Sequence, residues 1–359
     1  MQKKKPKVLF ICKKRVDTYG ISFGLLNSAT FVVNALDAKG IEAKVVTVVD
    51  SNGIDKEVAS YKPTHVMIEA LWVIPEKFEV LCKLHSKVTF IVRIHSKVPF
   101  LAMEGIAIEW IKKYNELAKK FDNLRISANS AEFNNTLKEA MDINAIFLPN
   151  IYLPVSKPSS YFSELEYDNP RFFGWLTGTK PTKPDSEKSL HIGCFGAIRP
   201  LKNHLNQALA AMMMANKVDR RLYFHVNGNR LEQRGDNVLK NLKALFAGTK
   251  HVLVEHEWMP HAQFVRLVKT MDLGMQVSLT ESFNIVVADF VANDVPIVVS
   301  KDIDWMPDDF VANPNDAEDI ARMARKVWRG KVYDMQDGAK RALADHNEDA
   351  TKTWLKYLK

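Results

Sequence analysis

Short runs of β-branched and aliphatic residues alternate with helical patterns along this 359-residue chain, and this alternation constrains its fold more than any other feature. In the first half, the predicted strands are residues 7–12, 43–49, 65–71, 88–94 and 124–129, and the predicted helices are residues 24–40, 75–87 and 104–121. Gly40 is expected to end the first of these helices. Strands that alternate with helices indicate a parallel sheet with helices on both faces.

The same alternation starts again after a segment of different composition. Residues 154–188 hold five of the 15 prolines and a cluster of aromatic residues, which predicts a linker or an irregular insertion. Beyond it, the predicted strands are residues 190–198, 221–228, 251–258, 273–279 and 295–300, and the predicted helices are residues 203–217, 237–248, 261–271 and 317–330. We therefore predict an α/β chain of two doubly wound domains, residues 1–153 and 189–340, whose ligands bind at the carboxyl ends of the strands.

Composition narrows the functional classes only slightly. The hydrophobic fraction of 47% is enough for two cores, and no apolar run is long enough to cross a bilayer, so no integral membrane segment is expected. The three cysteines lie in apolar segments without the spacing of a zinc site, which favours a reducing, cytoplasmic location. A net charge of +8 is compatible with a polyanionic partner, but the charge alone favours a simple contribution to solubility.

A first candidate site is the stretch GCFGAIRPLKNHLNQAL, residues 193–209. A strand is predicted to end at Gly196 and a helix to begin near Asn203, with Arg199 and Lys202 on the turn between them. Two cations beside a helix N-terminus suit an anionic ligand such as a diphosphate. The alternative is a pair of exposed basic residues on a loop, which is common.

A second candidate site is TESFNIVVADFVANDVPIVVS, residues 280–300, an apolar stretch that carries Glu281 and Asp289. A buried helix is predicted to begin near Ile285, capped by Ser282 or Asn284, with its N-terminal N–H groups in the strand-end crevice. Two carboxylates could then bind sugar and ribose hydroxyls on either side of a diphosphate, which is the layout of a nucleotide sugar. Alternatively, Asp289 pairs internally and Glu281 is a solvated loop acid.

The second stretch resembles the glutamate-x7-glutamate segment of retaining glycosyltransferases with the GT-B fold, broadly glycosyltransferase family 4. FGAIRPLKN resembles the phosphate turn G-R-x-x-P-x-K of the same family. The resemblance covers roughly residues 190–330 and is weaker in the N-terminal half. It implies two Rossmann-like domains facing a central cleft and a C-terminal helix, residues 341–359, that returns to the first domain. It also implies sugar transfer from a nucleotide-diphosphate sugar, with a UDP-sugar favoured and no cofactor or metal required.

Carried over by position, the resemblance implies a role for each matching residue. Arg199 and Lys202 would neutralise the leaving diphosphate, Glu281 would hold the hydroxyls of the donor sugar, and His95 would lie near the transferred sugar. The residues implied in donor binding are Gly20, Gly196, Asn227, Trp258, Met259, Ser282, Phe283, Asn284 and Asp289. Arg93 and Ser96 are the candidates for acceptor binding.

Four departures from the family pattern concern the donor. The second glutamate of the motif is Asp289, the arginine after the turn glycine is Ala197, and the glycine after E-x-F is Asn284. The N-terminal Gly-Gly loop is replaced by YGISFG. Two apparent metal motifs are interpreted differently. His251 and His256 would face opposite sides of one strand, and the sequence DID at residues 302–304 is expected in a loop.

The acceptor prediction rests on a further resemblance. RIHSKVPFLAMEGIAIEW, residues 93–110, resembles phage-encoded glycosyltransferases, some of which glycosylate hydroxymethylated bases in DNA. The leading acceptor is therefore a hydroxymethylated pyrimidine in double-stranded phage DNA, in the host cytoplasm, with Arg171, Lys180 and Lys183 of the aromatic linker as possible contacts. The alternatives are a transferase of polysaccharide or glycolipid synthesis, a nucleotide-sugar 2-epimerase and a non-catalytic nucleic-acid-binding protein. The oligomeric state stays open.

Overall fold

The structure is a computed structural model that describes residues 5–14, 23–154, 188–330 and 332–359. It divides into two compact units. Unit 1 comprises Met1–Pro154, Thr280–Ile285 and Ala344–Lys359, and unit 2 comprises Val155–Leu279 and Val286–Leu343. The predicted linker at residues 154–188 lies outside the described residues except at its two ends, and Gly20 lies outside them as well.

Unit 1 contains a six-stranded sheet in which every pair of neighbouring strands is parallel. Its strands are β1 (Lys7–Lys13), β2 (Glu42–Val48), β3 (His65–Glu69), β4 (Thr89–Ile94), β5 (Leu124–Ala128) and β6 (Ile146–Phe147), in the spatial order β2-β1-β3-β4-β5-β6. Its helices are α1 (Phe23–Ala38), α2 (Gly53–Tyr61), α3 (Pro75–Leu84), α4 (Val98–Leu101), α5 (Ala107–Lys120) and α6 (Ala131–Met141).

The strands of unit 1 are apolar on both faces because each face of the sheet is covered by its own core. In β1, Leu9 and Ile11 pack into one core, whereas Val8 and Phe10 pack into the other. This division follows from the alternation of side chains along a strand. A parallel sheet buried on both faces needs such near-continuous apolar strands, which is what the sequence pattern indicated.

Unit 2 contains a five-stranded parallel sheet. Its strands are β7 (Ser189–Gly193), β8 (Arg221–Val226), β9 (Val252–Glu255), β10 (Leu273–Gln276) and β11 (Ile297–Val299), in the order β11-β10-β7-β8-β9. The helices that follow are α7 (His204–Lys217), α8 (Gly235–Phe246), α9 (His261–Val268), α10 (Ile285–Ala292), α11 (Ala317–Arg329) and α12 (Val332–Leu358). The last of these begins in unit 2, and its residues from Ala344 onward belong to unit 1.

The predicted strands and most predicted helices are confirmed, with shorter strand ends. Gly40, which follows α1, has a φ of +74°, as expected of a glycine that ends a helix. The helix predicted for residues 104–121 is confirmed as α5, which begins three residues later than predicted, after turn residues 102–106. Helices α2, α4 and α6 and the short strand β6 were not predicted.

The end of α12 returns to the sheet of unit 1, which confirms that part of the fold prediction. Trp354 is fully buried, its Nε1–H donates to Pro149 O at 2.8 Å, and its ring centre lies 5.7 Å from that of Phe10. A buried tryptophan whose N–H has a partner anchors this helix to the core. Across the described ranges, none of the helices combines the length and apolar character needed to span a membrane.

Candidate active site

In unit 2, the turn between β7 and α7 carries the predicted diphosphate-binding cations. Gly196 has a φ of +113°, which favours glycine, and its N–H donates to Asn227 Oδ1 at 2.8 Å. The position that a Cβ would take at Gly196 lies 4.0 Å from Lys202 Nζ, so the ammonium group lies beside the turn. Asn227 is buried and holds the turn in place, and its predicted position near the donor base stays a prediction.

A neighbouring loop binds the second predicted cation. Arg199 Nη1 lies 3.2 Å from Glu232 Oε2, while the other oxygen of Glu232 accepts hydrogen bonds from Arg230 Nε and Nη2 at 2.9 and 2.8 Å. The backbones pair as well, since Ile198 N–H donates to Arg230 O at 2.8 Å and Glu232 N–H donates to Ile198 O at 3.0 Å. One carboxylate therefore faces two arginines, and Arg230 and Glu232 were missed because no motif contains them.

The two residues predicted to lie near the donor base follow β9. The guanidinium of Arg230 lies 4.3 Å from the ring centre of Trp258, and the backbone N–H of Trp258 donates to Asn229 Oδ1 at 2.9 Å. Met259, the next residue, is half-buried. Trp258 thus contacts residues 229–232, the same loop that binds Arg199. Contact of Trp258 or Met259 with a base stays a prediction.

Gly235, the first residue of α8, is packed directly against this turn, and Gly235→Ala is expected to lower the free energy of unfolding by roughly 1–3 kcal/mol. A Cβ at this position would clash with Ile198 O, so the backbone next to Arg199 must shift. We expect weaker binding of UDP, measured by calorimetry, together with the stability loss in urea. Gly338→Ala is the matched control, since its Cβ would meet nothing within 4 Å. If Gly235→Ala binds UDP with wild-type affinity, the turn between β7 and α7 does not bind this ligand.

His204, the first residue of α7, lies next to the cations and is buried. Its side chain is 1% exposed, and neither ring nitrogen has a hydrogen-bond partner among the described residues. Burial, with smaller contributions from Lys202 and Arg199, lowers the pKa of His204 to about 3. The imidazole is therefore neutral at physiological pH.

Acid is expected to destabilise the protein through this imidazole. The unfolded chain takes up the proton near pH 6.5 and the folded chain only near pH 3, so the stabilisation is complete above pH 6.5 and is lost as the pH falls. The expected slope is about 1.4 kcal/mol for each pH unit between these values. Urea unfolding at pH 7, 6 and 5 measures it. His204→Leu should show a shallower pH dependence, and an identical dependence in both proteins would contradict a neutral His204.

Asp289 lies in the second turn of α10 and is 1% exposed. Its Oδ1 lies 2.6 Å from Nε2 of His261, the first residue of α9. A carboxylate in an apolar helix needs such a partner. The internal pairing of Asp289, one of the two alternatives left open by the sequence, is therefore present. Its partner His261 was not identified from the sequence. Ribose binding by Asp289 stays a prediction.

In unit 1, the loop of residues 280–285 meets the carboxyl ends of two strands. Asn129 Nδ2 lies 3.2 Å from Ser282 Oγ and 3.4 Å from Nδ1 of His95, the residue that follows β4. The ring of Phe283 stacks on His346 with centres 5.0 Å apart, and Asn284 adopts a φ of +62° before α10. Asn129, which was not identified from the sequence, thus contacts both His95 and Ser282. Glu281 is half-buried in the loop of residues 280–285.

Arg93 is wrongly predicted as an acceptor-binding residue. Its side chain is fully buried, its Nη1 lies 3.0 Å from Glu69 Oε2, its Nη2 donates to Asn150 Oδ1 at 2.5 Å and its Nε donates to Leu148 O at 3.1 Å. All three guanidinium nitrogens are committed inside the unit, so direct contact with an acceptor is not available to them. Ser96, the other acceptor candidate, is half-buried and stays a prediction.

His95 shares the carboxylate of Glu69 with Arg93, and its Nε2 lies 2.5 Å from Glu69 Oε2. Burial raises the pKa of Glu69, but Arg93 and His95 together lower it further, so the carboxyl is held below its usual pKa. Burial lowers the pKa of His95, which Glu69 opposes and Arg93 reinforces. An ionised Glu69 and a neutral His95 follow at pH 7.

The apparent metal motifs hold no metal-like geometry. Over the described ranges, His, Cys, Asp and Glu side chains form no group of three that could hold an ion. His251 Nε2 lies 3.1 Å from Asn216 Oδ1, whereas His256 Nε2 lies 2.8 Å from His225 Nδ1, so the two histidines have different partners. Residues 302–304 lie in a turn, as predicted.

Comparison with known proteins places this geometry in a known architecture. No family model and no curated protein matches the sequence. A UDP-forming α,α-trehalose-phosphate synthase from Burkholderia vietnamiensis matches with 12% identity and a TM-score of 0.65, over 98% of this chain and 99% of that chain. A glycosyltransferase from Rickettsia africae matches with 15% identity and a TM-score of 0.56, over 99% and 100%. The chain has the GT-B fold.

A third GT-B neighbour is the N-terminal domain of a trehalose-6-phosphate phosphatase from Candida albicans, with 11% identity and a TM-score of 0.64 over 100% of this chain and 97% of that chain. At these identities the likeness establishes the fold alone. In this GT-B chain the candidate residues follow strands at their carboxyl ends: His95 follows β4 and Gly196 follows β7. That is where open α/β sheets bind ligands.

Proposed function

We propose that this protein is a glycosyltransferase that moves a sugar from a nucleotide-diphosphate sugar to a hydroxyl group with retention of configuration. The observation that carries the proposal is the turn before α7, where Lys202 lies beside Gly196 and where Arg199 and Arg230 share the carboxylate of Glu232. Fixed cations stabilise a diphosphate whose charge grows as it leaves the sugar. No cofactor or metal beyond the donor is required for this chemistry.

The remaining residues act on the sugar and the ribose. Glu281 binds the hydroxyls of the donor sugar, the amides of Phe283 and Asn284 at the start of α10 bind the phosphate, and Asp289 binds the ribose. His95 contacts the transferred sugar. The transition state is oxocarbenium-like. The bond between the anomeric carbon and the diphosphate oxygen breaks, the acceptor oxygen bonds to that carbon on the same face, and the acceptor proton passes to the departing diphosphate, so no protein nucleophile takes part.

A UDP-sugar is the proposed donor. Two of the structural neighbours are named UDP-forming α,α-trehalose-phosphate synthases, from Burkholderia xenovorans and Burkholderia vietnamiensis. These names support uridine as the base, while the sugar itself is left to experiment.

Two acceptors have a supporting observation. A hydroxymethylated pyrimidine in double-stranded DNA is the acceptor proposed from the sequence, and the net charge of +8 suits a polyanion. A sugar phosphate is the second candidate, because a Burkholderia xenovorans trehalose-phosphate synthase of the same fold was solved with glucose-6-phosphate. Both acceptors are anionic and carry a free hydroxyl.

The deciding experiment combines donors and acceptors. The protein is incubated with UDP-glucose, other UDP-sugars or GDP-sugars, each with hydroxymethylcytosine DNA, unmodified DNA, glucose 6-phosphate or no acceptor. Released nucleotide is quantified, product mass is determined, and the anomeric configuration is read by NMR. Glu281→Gln is the site variant, and Lys240→Ala, an exposed lysine on α8, is the control for a change on the surface.

Each outcome points to one conclusion. Release that needs hydroxymethylated DNA and fails in Glu281→Gln supports the DNA acceptor, and release that needs glucose 6-phosphate supports the second candidate. Conversion of one UDP-sugar into another without acceptor would identify an epimerase and contradict the proposal. Binding of DNA without any turnover would identify a nucleic-acid-binding protein instead, and an inverted product would contradict retention.

A further inference from the structure

The buried carboxylate of Glu69 contacts two side chains at the carboxyl end of β4, those of Arg93 and His95, through a single oxygen. Glu69 and Arg93 are register partners on the neighbouring strands β3 and β4. Oε2 of Glu69 lies 3.0 Å from Arg93 Nη1 and 2.5 Å from His95 Nε2, while Oε1 has no hydrogen-bond partner among the described residues. Arg93 is held in turn by Leu148 O and Asn150 Oδ1, so the carboxylate has a fixed position.

This contact decides which nitrogen of His95 carries the proton. An ionised carboxylate only accepts hydrogen bonds, so Nε2 must be the protonated nitrogen. In the neutral ring, Nδ1 is then the acceptor. Asn129 Nδ2 lies 3.4 Å from this nitrogen and 3.2 Å from Ser282 Oγ, which fits an unprotonated Nδ1, and a sugar hydroxyl would replace Asn129 as its donor. The acceptor edge of His95 therefore lies on the side of the loop that carries Glu281.

We infer that Glu69 is a positioning residue that fixes His95 with Nδ1 presented as a hydrogen-bond acceptor toward a hydroxyl of the transferred sugar. The inference rests on the proposed function and specifies the chemistry of this part of the site. An unprotonated Nδ1 recognises a group that donates, such as a sugar hydroxyl, and not a phosphate or carboxylate. Arg93 supplies the counter-ion that keeps Glu69 charged, and reaches the sugar only through Glu69 and His95.

The first test measures the protonation of His95 in the wild-type protein. Full-length protein labelled with ¹⁵N-histidine is examined by NMR at pH 7, and the His95 signals are assigned by their loss in His95→Gln. We expect Nε2 to carry a proton that exchanges slowly with water, and Nδ1 to show the shift of an unprotonated nitrogen. A protonated Nδ1, or a fully charged ring, would overturn the inference even if sugar transfer is observed.

The second test is a double-mutant cycle on the transfer rate. Glu69→Gln and His95→Gln are each expected to lower kcat by roughly 100-fold, because a misplaced contact group loses its alignment. The double variant should be no slower than His95→Gln alone, since Glu69 acts only through His95. The dissociation constant for UDP should stay unchanged. Independent losses that multiply in the double variant would show a merely structural role and overturn the inference.

Controls separate the inference from folding and from the proposed function. Glu132→Gln removes the partner of Lys97, 2.7 Å away and two residues from His95, and is expected to leave the NMR signals and kcat unchanged. If Glu69→Gln does not fold, Glu69→Asp takes its place in the cycle and should retain more activity than His95→Gln. If His95→Gln transfers sugar at the wild-type rate, the inference is refuted and the proposed function stands. If no donor supports transfer, the proposed function is refuted. In that case only the NMR experiment tests the protonation of His95.

Discussion

Lys202→Ala is expected to lower the rate of sugar transfer by about 100- to 1,000-fold, the loss seen when one preorganised group that stabilises transition-state charge is removed. The ammonium group lies beside the Gly196 turn, at the start of α7, where the diphosphate is proposed to leave. The loss should fall mainly on kcat, since charge on the diphosphate grows in the transition state. Steady-state release of UDP measures it.

The control for this prediction is Lys240→Ala, which removes an exposed lysine elsewhere in unit 2 and should keep the wild-type rate. Arg199→Ala should lie between the two, because Glu232, 3.2 Å away, already balances part of the charge of Arg199. If Lys202→Ala binds UDP and turns over like the wild type, the cationic turn is not the diphosphate site.

Arg93→Met is expected to lower the free energy of unfolding by about 3–5 kcal/mol, because it leaves a buried carboxylate without its cation. Glu69 is fully buried, and the same substitution also leaves Leu148 O and Asn150 Oδ1 without the donors that Arg93 supplies. Urea unfolding followed by circular dichroism measures the loss.

Arg125→Met serves as the comparison, since Arg125 is half-buried and its guanidinium donates to Leu124 O at 2.7 Å. We expect a change below about 1 kcal/mol there, because a partly solvated cation loses little on removal. If Arg93→Met has wild-type stability and a raised KM for the acceptor, the prediction is wrong. Arg93 would then bind the acceptor, although its side chain is buried in the structure.

Much of the fold could be predicted because the pattern is local. A strand buried on both faces, such as β1, is recognised by its continuous apolar run, and α1 ends where Gly40 supplies a positive φ. Helix α4 could not be predicted in this way, because its four residues, Val98–Leu101, are too few to show a helical period. Periodicity also set the start of α5 at residue 104, three residues before Ala107, because helix ends are less well marked than helix centres.

The candidate site was predictable only in part. Lys202, Glu281 and His95 stand out because they are polar residues in the short segments that follow predicted strands. Their partners do not stand out, since Glu232 is 33 residues from Arg199, Asp289 is 28 from His261 and Ser282 is 153 from Asn129. Contacts across such separations depend on which strands become neighbours.

By itself, the sequence determined the succession of strands and helices and the strand ends at which His95, Gly196 and Glu281 lie, because side-chain periodicity and turn residues act over a few positions. The tertiary structure decided what each charge does. Arg93 and Arg199 are both arginines near strand ends. Arg93 is fully buried and pairs with Glu69, whereas Arg199 lies on a half-buried turn and pairs with Glu232. The burial and the contact partners of each arginine set its role. They depend on the order of the strands in the sheet, which cannot be read from the sequence.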